Sequence, residues 1–267
     1  MPLVTVRASS WGSLFDCAYK WEGVNLLKIR SPSSPRALLG TAIHASTAAF
    51  DVGRMTGQPV SIYDSSELLV NVLRRPAEDV QWNGADLTVD DAERIGLKLH
   101  TMYCKDWSPK FEFAAIELKV KPMVLDMGGD LRIELTGTLD RARFYRGRDG
   151  TGIADVKSGG AAVAQGVAKT KGHSAQIGTY ELLYEHTTGD PITEDAEIIG
   201  LKTRGKPEIA MGTIVGAKAM MIGTDKFRGL IDIGADMIRT GLFPPNPSSH
   251  LCAKAYCPRW NSCPYHE

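Results

Sequence analysis

The sequence predicts an α/β fold, one domain with a helical N-terminal part, a β-rich middle and a C-terminal tail that follows neither period. Three observations point to it. Helical periodicity dominates residues 1–110, β-rich runs separated by Gly and Asp turns follow across 111–240, and residues 241–267 carry Pro, Cys and turn residues with neither period. At 267 residues the chain is long enough for one substantial core, and a single domain is expected to hold it all.

Taken in order, Ser9 or Ser10 caps a first helix through about Trp21, with Leu14, Cys17, Ala18 and Trp21 on one face. The turn-rich "SPSSP" (Ser31 to Pro35) breaks the chain before a second helix from about Arg36 to Val52, which carries "GTAIHASTAAF". A short helix follows near Ser65 to Leu73, and Thr88 with Asp91 resembles a capping box for a helix through about Trp107. Then the period changes. "FAAIELKVKPMVL", "DLRIELTGTLDRARFY" and "TGIADVKS" read as strands, "HSAQIGTYELLYEHT" as a helix, and "AEIIGLKTR" and "EIAMGTIV" as two more strands. A last helix is expected from about Ala217 to Arg239, before "FPPNPSSHLCAKAYCPRWNSCPYHE", a tail that needs something other than regular structure to order it.

Composition narrows the function classes. Hydrophobic residues make up 43% and charged residues 23%, as in an ordinary soluble protein. The 31 basic and 31 acidic residues cancel, so a polyanionic partner has to be drawn by a local groove and bound cations. No run of about 18 apolar residues suggests a membrane span. The opening "MPLVTVRASSWG" lacks a signal-peptide layout, so a cytoplasmic location is expected. There the five cysteines stay reduced, which favours metal binding or burial over disulfides.

The chemistry concentrates in "GTLDRARFYRGRDGTGIADVKSGG", residues 137–160. Two strand-like runs flank "GRDG", and each carries an aspartate where a buried strand prefers an apolar side chain. If "GRDG" closes a two-residue turn, Asp140 lies opposite Lys157, with Asp155 two positions along on the same face. Two carboxylates clustered on an apolar surface stay ionised when a cation sits between them. Oxygen ligands of this kind suit Mg²⁺ or Mn²⁺, and a neighbouring lysine can neutralise charge at a scissile phosphate or position a water. A plain surface hairpin with an Asp–Lys cross-strand pair is the bland alternative.

These residues resemble the D…(D/E)xK core of the PD-(D/E)XK nuclease superfamily, in particular its RecB-like exonuclease branch. "GTAIHA" upstream resembles that branch's Gly-x-x-x-His helix, and "QIGTY" downstream its Gln-x-x-x-Tyr motif. The resemblance implies a restriction-endonuclease-like fold, a central mixed β-sheet flanked by helices, with an N-terminal helical lobe and a cysteine-stapled C-terminal tail. It implies Asp140, Asp155, the backbone carbonyl of Val156 and His44 as metal ligands, and Lys157 as the group that activates or orients the attacking water. It also implies Gln176 and Tyr180 lining the site; four apart on a helix, they share a face. Glu117, in "AIELKV", stands where relatives often carry an acidic residue. Read alone, His44 is an ordinary packed histidine, and Gln176 and Tyr180 a surface amide and a core tyrosine.

Cys252, Cys257 and Cys263 need a fourth ligand for a tetrahedral or cubane site, and Cys17 is the natural candidate, clamping the tail to the N-terminal helix. The one-plus-three layout resembles the branch's 4Fe–4S staple, although four residues between the first two tail cysteines depart from the two that relatives often have. Zinc is the rival, and His250 or His266 could replace a cysteine. Cys104 reads as a small buried hydrophobe.

Lys169 and Lys171 in "KTKGH" and Lys202 and Arg204 in "LKTRGK" are candidate phosphate contacts. Trp21, Trp82 and Trp260 are candidate base-stacking platforms, against ordinary packing roles. No helix-turn-helix, zinc-finger or RNP pattern appears, so sequence-specific reading is not expected. A helicase or recombination motor would have to be another chain, since no GxxxxGK[ST] loop exists. The expected activity is metal-dependent DNA exonuclease action at ends or on single strands, in repair, recombination or phage DNA processing. A non-catalytic DNA-end-binding scaffold with a structural cluster is the alternative.

Overall fold

The computed structural model describes residues 3–82, 86–145 and 150–266. An unforeseen strand opens the chain: β1 (Leu3–Arg7) joins β3 (Met123–Asp126) and β4 (Arg132–Thr136) in a three-stranded sheet ordered β1-β4-β3. Valines and a threonine within "LVTVR" favour extended backbone. The expected first helix is two, α1 (Trp11–Asp16) and α2 (Ala18–Asn25), parted where Cys17 is extended at φ −146° and ψ 95°. That break is legible only in three dimensions, because every residue around it tolerates helix.

Three helices follow, each capped by a hydroxyl. Ser34 accepts from the Ala37 N–H to start α3 (Pro35–Met55), whose first residue is a proline that has no N–H to waste. Ser61 starts α4 (Ile62–Arg74), and Thr88 accepts from the Asp91 N–H to start α5 (Val89–Met102). The chain then widens into a π turn at Tyr103–Trp107 rather than continuing as α-helix.

The central sheet runs β10-β9-β6-β5-β2, made by β2 (Glu112–Lys119), β5 (Thr138–Phe144), β6 (Thr151–Gly159), β9 (Ala196–Lys202) and β10 (Glu208–Ile214). Only β6 and β9 are parallel; the other neighbours in this sheet are antiparallel, so the sheet is mixed. Between β6 and β9 lie a small hairpin, β7 (Val163–Ala164) with β8 (Val167–Ala168), and α6 (Ser174–Thr188). The expected helix from Ala217 to Arg239 is interrupted. It divides into α7 (Ala217–Ile222), a hairpin of β11 (Gly223–Thr224) and β12 (Phe227–Arg228), and α8 (Leu230–Thr240). Gly223, at φ 82°, makes the turn that a continuous helix would forbid.

Apolar residues on the two faces of the sheet build two cores. Ala154 and Val156 of β6 pack with Leu39 and Ile43 of α3, Leu69 of α4 and Leu99 of α5. Leu139, Ala142 and Ile153 face the other way, onto Ile177 and Leu183 of α6, Met221 of α7, and Trp11 and Trp21. Each buried Leu, Ile, Val or Met among them contributes about 1.5–3 kcal/mol. Trp21 is wholly buried and stacks on Phe243, so it is a core residue and not a base platform.

Beyond α8 the tail has one short 3₁₀ turn, Trp260–Ser262. Polar contacts hold it to the start of the chain. Asn246 Nδ2 donates to the Asp16 carbonyl at 2.9 Å, Ser249 Oγ to the Asp16 carboxylate at 2.6 Å, and Arg259 to the Tyr19 carbonyl at 2.9 Å. No helix among the described residues is long and apolar enough to cross a membrane.

Candidate active site

The β5–β6 hairpin carries Asp140, Asp155 and Lys157, but in a different register from the expected one. Arg141 faces Ala154, and one step on Asp140 stands level with Asp155 instead of Lys157. The shift is two residues, so the side-chain faces are those that alternation predicts; most of "GRDG" lies outside the described residues. The N–H of Val156 donates to Asp140 Oδ2 at 3.1 Å, tying the two strands together at this level.

Two further elements close on Asp140. From α3, His44 Nδ1 comes within 3.2 Å of Asp140 Oδ2. The helix approaches this closely because residue 40, one turn earlier, is glycine: a Cβ there would stand 2.9 Å from Ser158 Oγ. From β2 comes Glu117, whose φ of 47° is rare for a residue other than glycine. Such backbone costs about 1–3 kcal/mol and clusters at functional sites. His44, Glu117 and Asp140 each offer one ligand atom, and these atoms all lie within 4.8 Å of one another.

Asp155 is fully buried, and the Lys157 ammonium lies 2.5 Å from its Oδ2. Neither oxygen of Asp155 accepts a well-aligned hydrogen bond from the described residues, which leaves a desolvated carboxylate beside the ligand triad. Burial, and then the charge of Asp140, push Asp155 up. Burial opposes ionisation of Asp140 too, but His44, Arg141 and Lys157 outweigh it and hold Asp140 low. Burial and Asp140 also push Glu117 up. Three carboxylates and an imidazole, crowded and short of partners, are a donor set that fits a hard divalent cation.

Gln176 and Tyr180 of α6 cover the same region, with Gln176 Nε2 donating to the Tyr180 hydroxyl at 3.4 Å. The Tyr180 ring lies over Gly137, where a Cβ would stand 2.9 Å from it. Burial, together with Asp140 and Asp155, pushes the phenol up, so it stays a donor. His173, just before α6, is pushed down to about 4 by burial and then by Lys157 and Lys169, so its imidazole is neutral at ordinary pH.

One part of the site was not visible in sequence. Arg141, beside Asp140, is fully buried, and its Nε donates to Asp51 Oδ2 of α3 at 3.1 Å. Tyr103 donates to the same oxygen at 2.7 Å, Ser108 to Oδ1 at 2.5 Å, and Arg141 Nη2 to Thr47 Oγ1 at 3.0 Å. Arg141 Nη1 lies 3.9 Å from Glu117 Oε1. This network fixes α3 against β5, and hence His44 against Asp140. An arginine in a strand pattern reads as solvent-facing, so the only signal was its place next to Asp140.

The other candidates fall in separate places. Cys17, Cys252, Cys257 and Cys263 line one pocket between α2 and the tail, together with Trp260 and His266. The His266 ring packs on Trp260 with centroids 4.2 Å apart. His250 is exposed, and Cys104 is buried beside His100. Lys169 and Lys171 are exposed ahead of α6. Lys202 lies 3.7 Å from Glu208, and Arg204 3.4 Å from Asp86. Trp82 packs against the α3–α5 core.

Comparison with known proteins adds an independent line. The family model described as the PD-(D/E)XK nuclease superfamily matches residues 8–264. A solved structure named "Putative exonuclease", from Eubacterium rectale, is similar at 12% identity with a TM-score of 0.42, covering 88% of this chain and 77% of its own. No curated protein matches.

Proposed function

Because the chain belongs to the PD-(D/E)XK nuclease superfamily, we propose that it is a divalent-metal-dependent deoxyribonuclease acting on DNA ends or single strands. The observation that carries this is the convergence of His44, Glu117 and Asp140 within 4.8 Å, beside the buried Asp155 and the Lys157 ammonium. In this reading His44, Asp140, Asp155 and the carbonyl of Val156 would hold Mg²⁺ or Mn²⁺, with Glu117 as an added acid. When bound, the ion would supply a Lewis acid to offset charge developing on the scissile phosphate.

The remaining work falls to side chains. Lys157 points its ammonium at the phosphate and orients a water for in-line attack. The new bond forms between that water's oxygen and phosphorus as the water gives up a proton, the bond to the leaving sugar oxygen breaks, and the leaving oxygen takes up a proton from solvent, so the proton count is conserved. Tyr180, kept protonated, and Gln176 donate to the strand backbone. Lys169, Lys171, Lys202 and Arg204 supply sequence-independent phosphate contacts. The setting is DNA repair, recombination or phage DNA processing in a cytoplasm, with any helicase supplied by another chain.

The four thiols at α2 and the tail suit a 4Fe–4S cluster, with zinc as the alternative. Its role is structural: it orders a tail that has little core of its own. Iron, sulfide and zinc analysis of anaerobically purified protein tests this, and zinc without iron overturns the cluster assignment. For the activity, linear and covalently closed circular DNA are compared with Mg²⁺ or Mn²⁺. Exonuclease action degrades the linear form and spares the closed circle; equal loss of both makes the enzyme an endonuclease.

A further inference from the structure

A cleft of about 890 Å³ opens where the start of α3, the ends of β6 and β9 and the tail meet. Its lining includes Arg36 at the start of α3, Asp86, Gly160 just past β6, Arg204 just past β9, and Lys254 and Tyr256 of the tail. Two elements run from the metal-ligand cluster straight into it. On α3, Arg36, Gly40 and His44 recur every fourth residue and so lie along one face, with Arg36 about 12 Å from His44 along the axis. On β6, Lys157 precedes Gly160 by three residues. The cleft therefore sits at the carboxyl ends of β6 and β9, the one parallel pair in the central sheet, which is where open α/β sheets hold ligands.

Its charges are arranged unusually. Among the described residues, the cations Arg36, Arg204 and Lys254 share the lining with one acid, Asp86. That acid bridges two of them: Arg36 binds Asp86 through Nε at 3.1 Å and Nη2 at 2.6 Å, and Arg204 Nη2 lies 3.4 Å from the same Oδ2. A carboxylate gripped by a guanidinium fork and a second arginine occupies the position a phosphate would take. The side chains of Asp86 and Arg204 are 58% and 73% exposed, so the arrangement can open without unfolding. Tyr256, 51% exposed, adds an aromatic face on which a base can stack.

Resting on the nuclease reading above, we infer that this cleft holds the single strand of DNA next to the scissile phosphate, and that Asp86 is a phosphate mimic the strand displaces. At about 3.4 Å per stacked nucleotide, the run from His44 to Arg36 corresponds to about three or four nucleotides. The loop between Cys252 and Cys257 carries Lys254 and Tyr256, so the tail supplies one wall of the cleft. Arg36, Arg204 and Lys254 supply phosphate contacts and Tyr256 a ring face, neither of which needs a particular base.

The test is binding of a fluorescent single-stranded oligonucleotide to the full chain in EDTA, where nothing is cleaved, over a range of salt. Arg36→Ala, Arg204→Ala and Lys254→Ala each weaken binding about three- to tenfold and flatten the salt dependence by about 0.7 in slope. Asp86→Asn tightens binding and steepens that slope. Arg94→Ala, exposed on α5 outside the cleft, changes neither. The inference is overturned if the cleft variants bind like wild type, if only blunt duplex binding responds, or if Asp86→Asn weakens binding. An enzyme that cleaves DNA while these variants bind normally rejects the cleft alone; a wild type that neither cleaves nor binds rejects the nuclease reading with it.

Discussion

Arg141 of β5 and Asp51 of α3 meet at 3.1 Å with both side chains fully buried, directly behind the cluster of His44, Glu117 and Asp140. Each charge is tolerable only because the other is present, and Tyr103, Ser108 and Thr47 complete the hydrogen bonding. Burial opposes the charge on Arg141, but Tyr103, Asp51 and Asp140 beside it prevail, so it remains charged. Asp51→Ala is expected to destabilise the fold by about 3–5 kcal/mol, read from urea unfolding, because it strands a buried guanidinium. A loss below about 1 kcal/mol would mean that the pair does not clamp α3 to β5.

Glu117 offers the opposite sign. Its φ of 47° is strained for any residue with a Cβ, and its carboxylate lies against Asp140. Glu117→Gly relieves both, so the apo protein gains about 1 kcal/mol even after the added chain entropy of glycine. Mn²⁺ affinity, followed by calorimetry, falls in the same variant. This is the exchange of stability for activity expected where strain serves a site.

Gly137 and Gly40 are tight in different ways. Gly137→Ala drives a methyl into the Tyr180 ring and Gly40→Ala drives one against Ser158 Oγ, each at 2.9 Å. Overpacking of this kind costs about 1–3 kcal/mol. Ser158 can rotate its hydroxyl away, whereas the Tyr180 ring is buried, so Gly137→Ala should show the larger fall in melting temperature.

Stability is expected to respond to pH through Glu181 on α6, a buried residue outside the cluster of His44, Glu117 and Asp140. Burial pushes its carboxyl up to about 7, against weaker opposition from the backbone and ammonium of Lys218. The folded state then holds a proton that the unfolded chain releases near its ordinary value, so unfolding free energy declines as pH rises from about 4.5 to about 7. The decline is up to about 3 kcal/mol, and Glu181→Gln removes that part of it. Urea melts at about pH 5 and about pH 8 on both proteins check the sign.

Much of this was legible in residue order. Alternation along β6 and the aspartates in two β-rich runs located the hairpin, and four-residue spacing put Gln176 and Tyr180 on one helix face. What sequence could not supply depended on tertiary context. The extended Cys17 between α1 and α2 follows no local signal, and the N-terminal strand exists only because β4 offers it an edge. The β5–β6 register differs by two residues from the one a two-residue turn gives, which moves Asp140 from Lys157 to Asp155. Arg141 reads as a surface residue until Asp51, 90 positions away, is placed against it.

The central claim is that Asp155 and Lys157 act on a phosphodiester at a divalent ion held beside Asp140. DNA hydrolysis by wild type, Asp155→Ala and Lys157→Ala, assayed with Mg²⁺ or Mn²⁺ and with EDTA, tests it most directly. The expected result is metal-dependent cleavage by wild type, none detectable with Asp155→Ala, and a loss of about 10²–10³ with Lys157→Ala. Equal cleavage by all three proteins would contradict it.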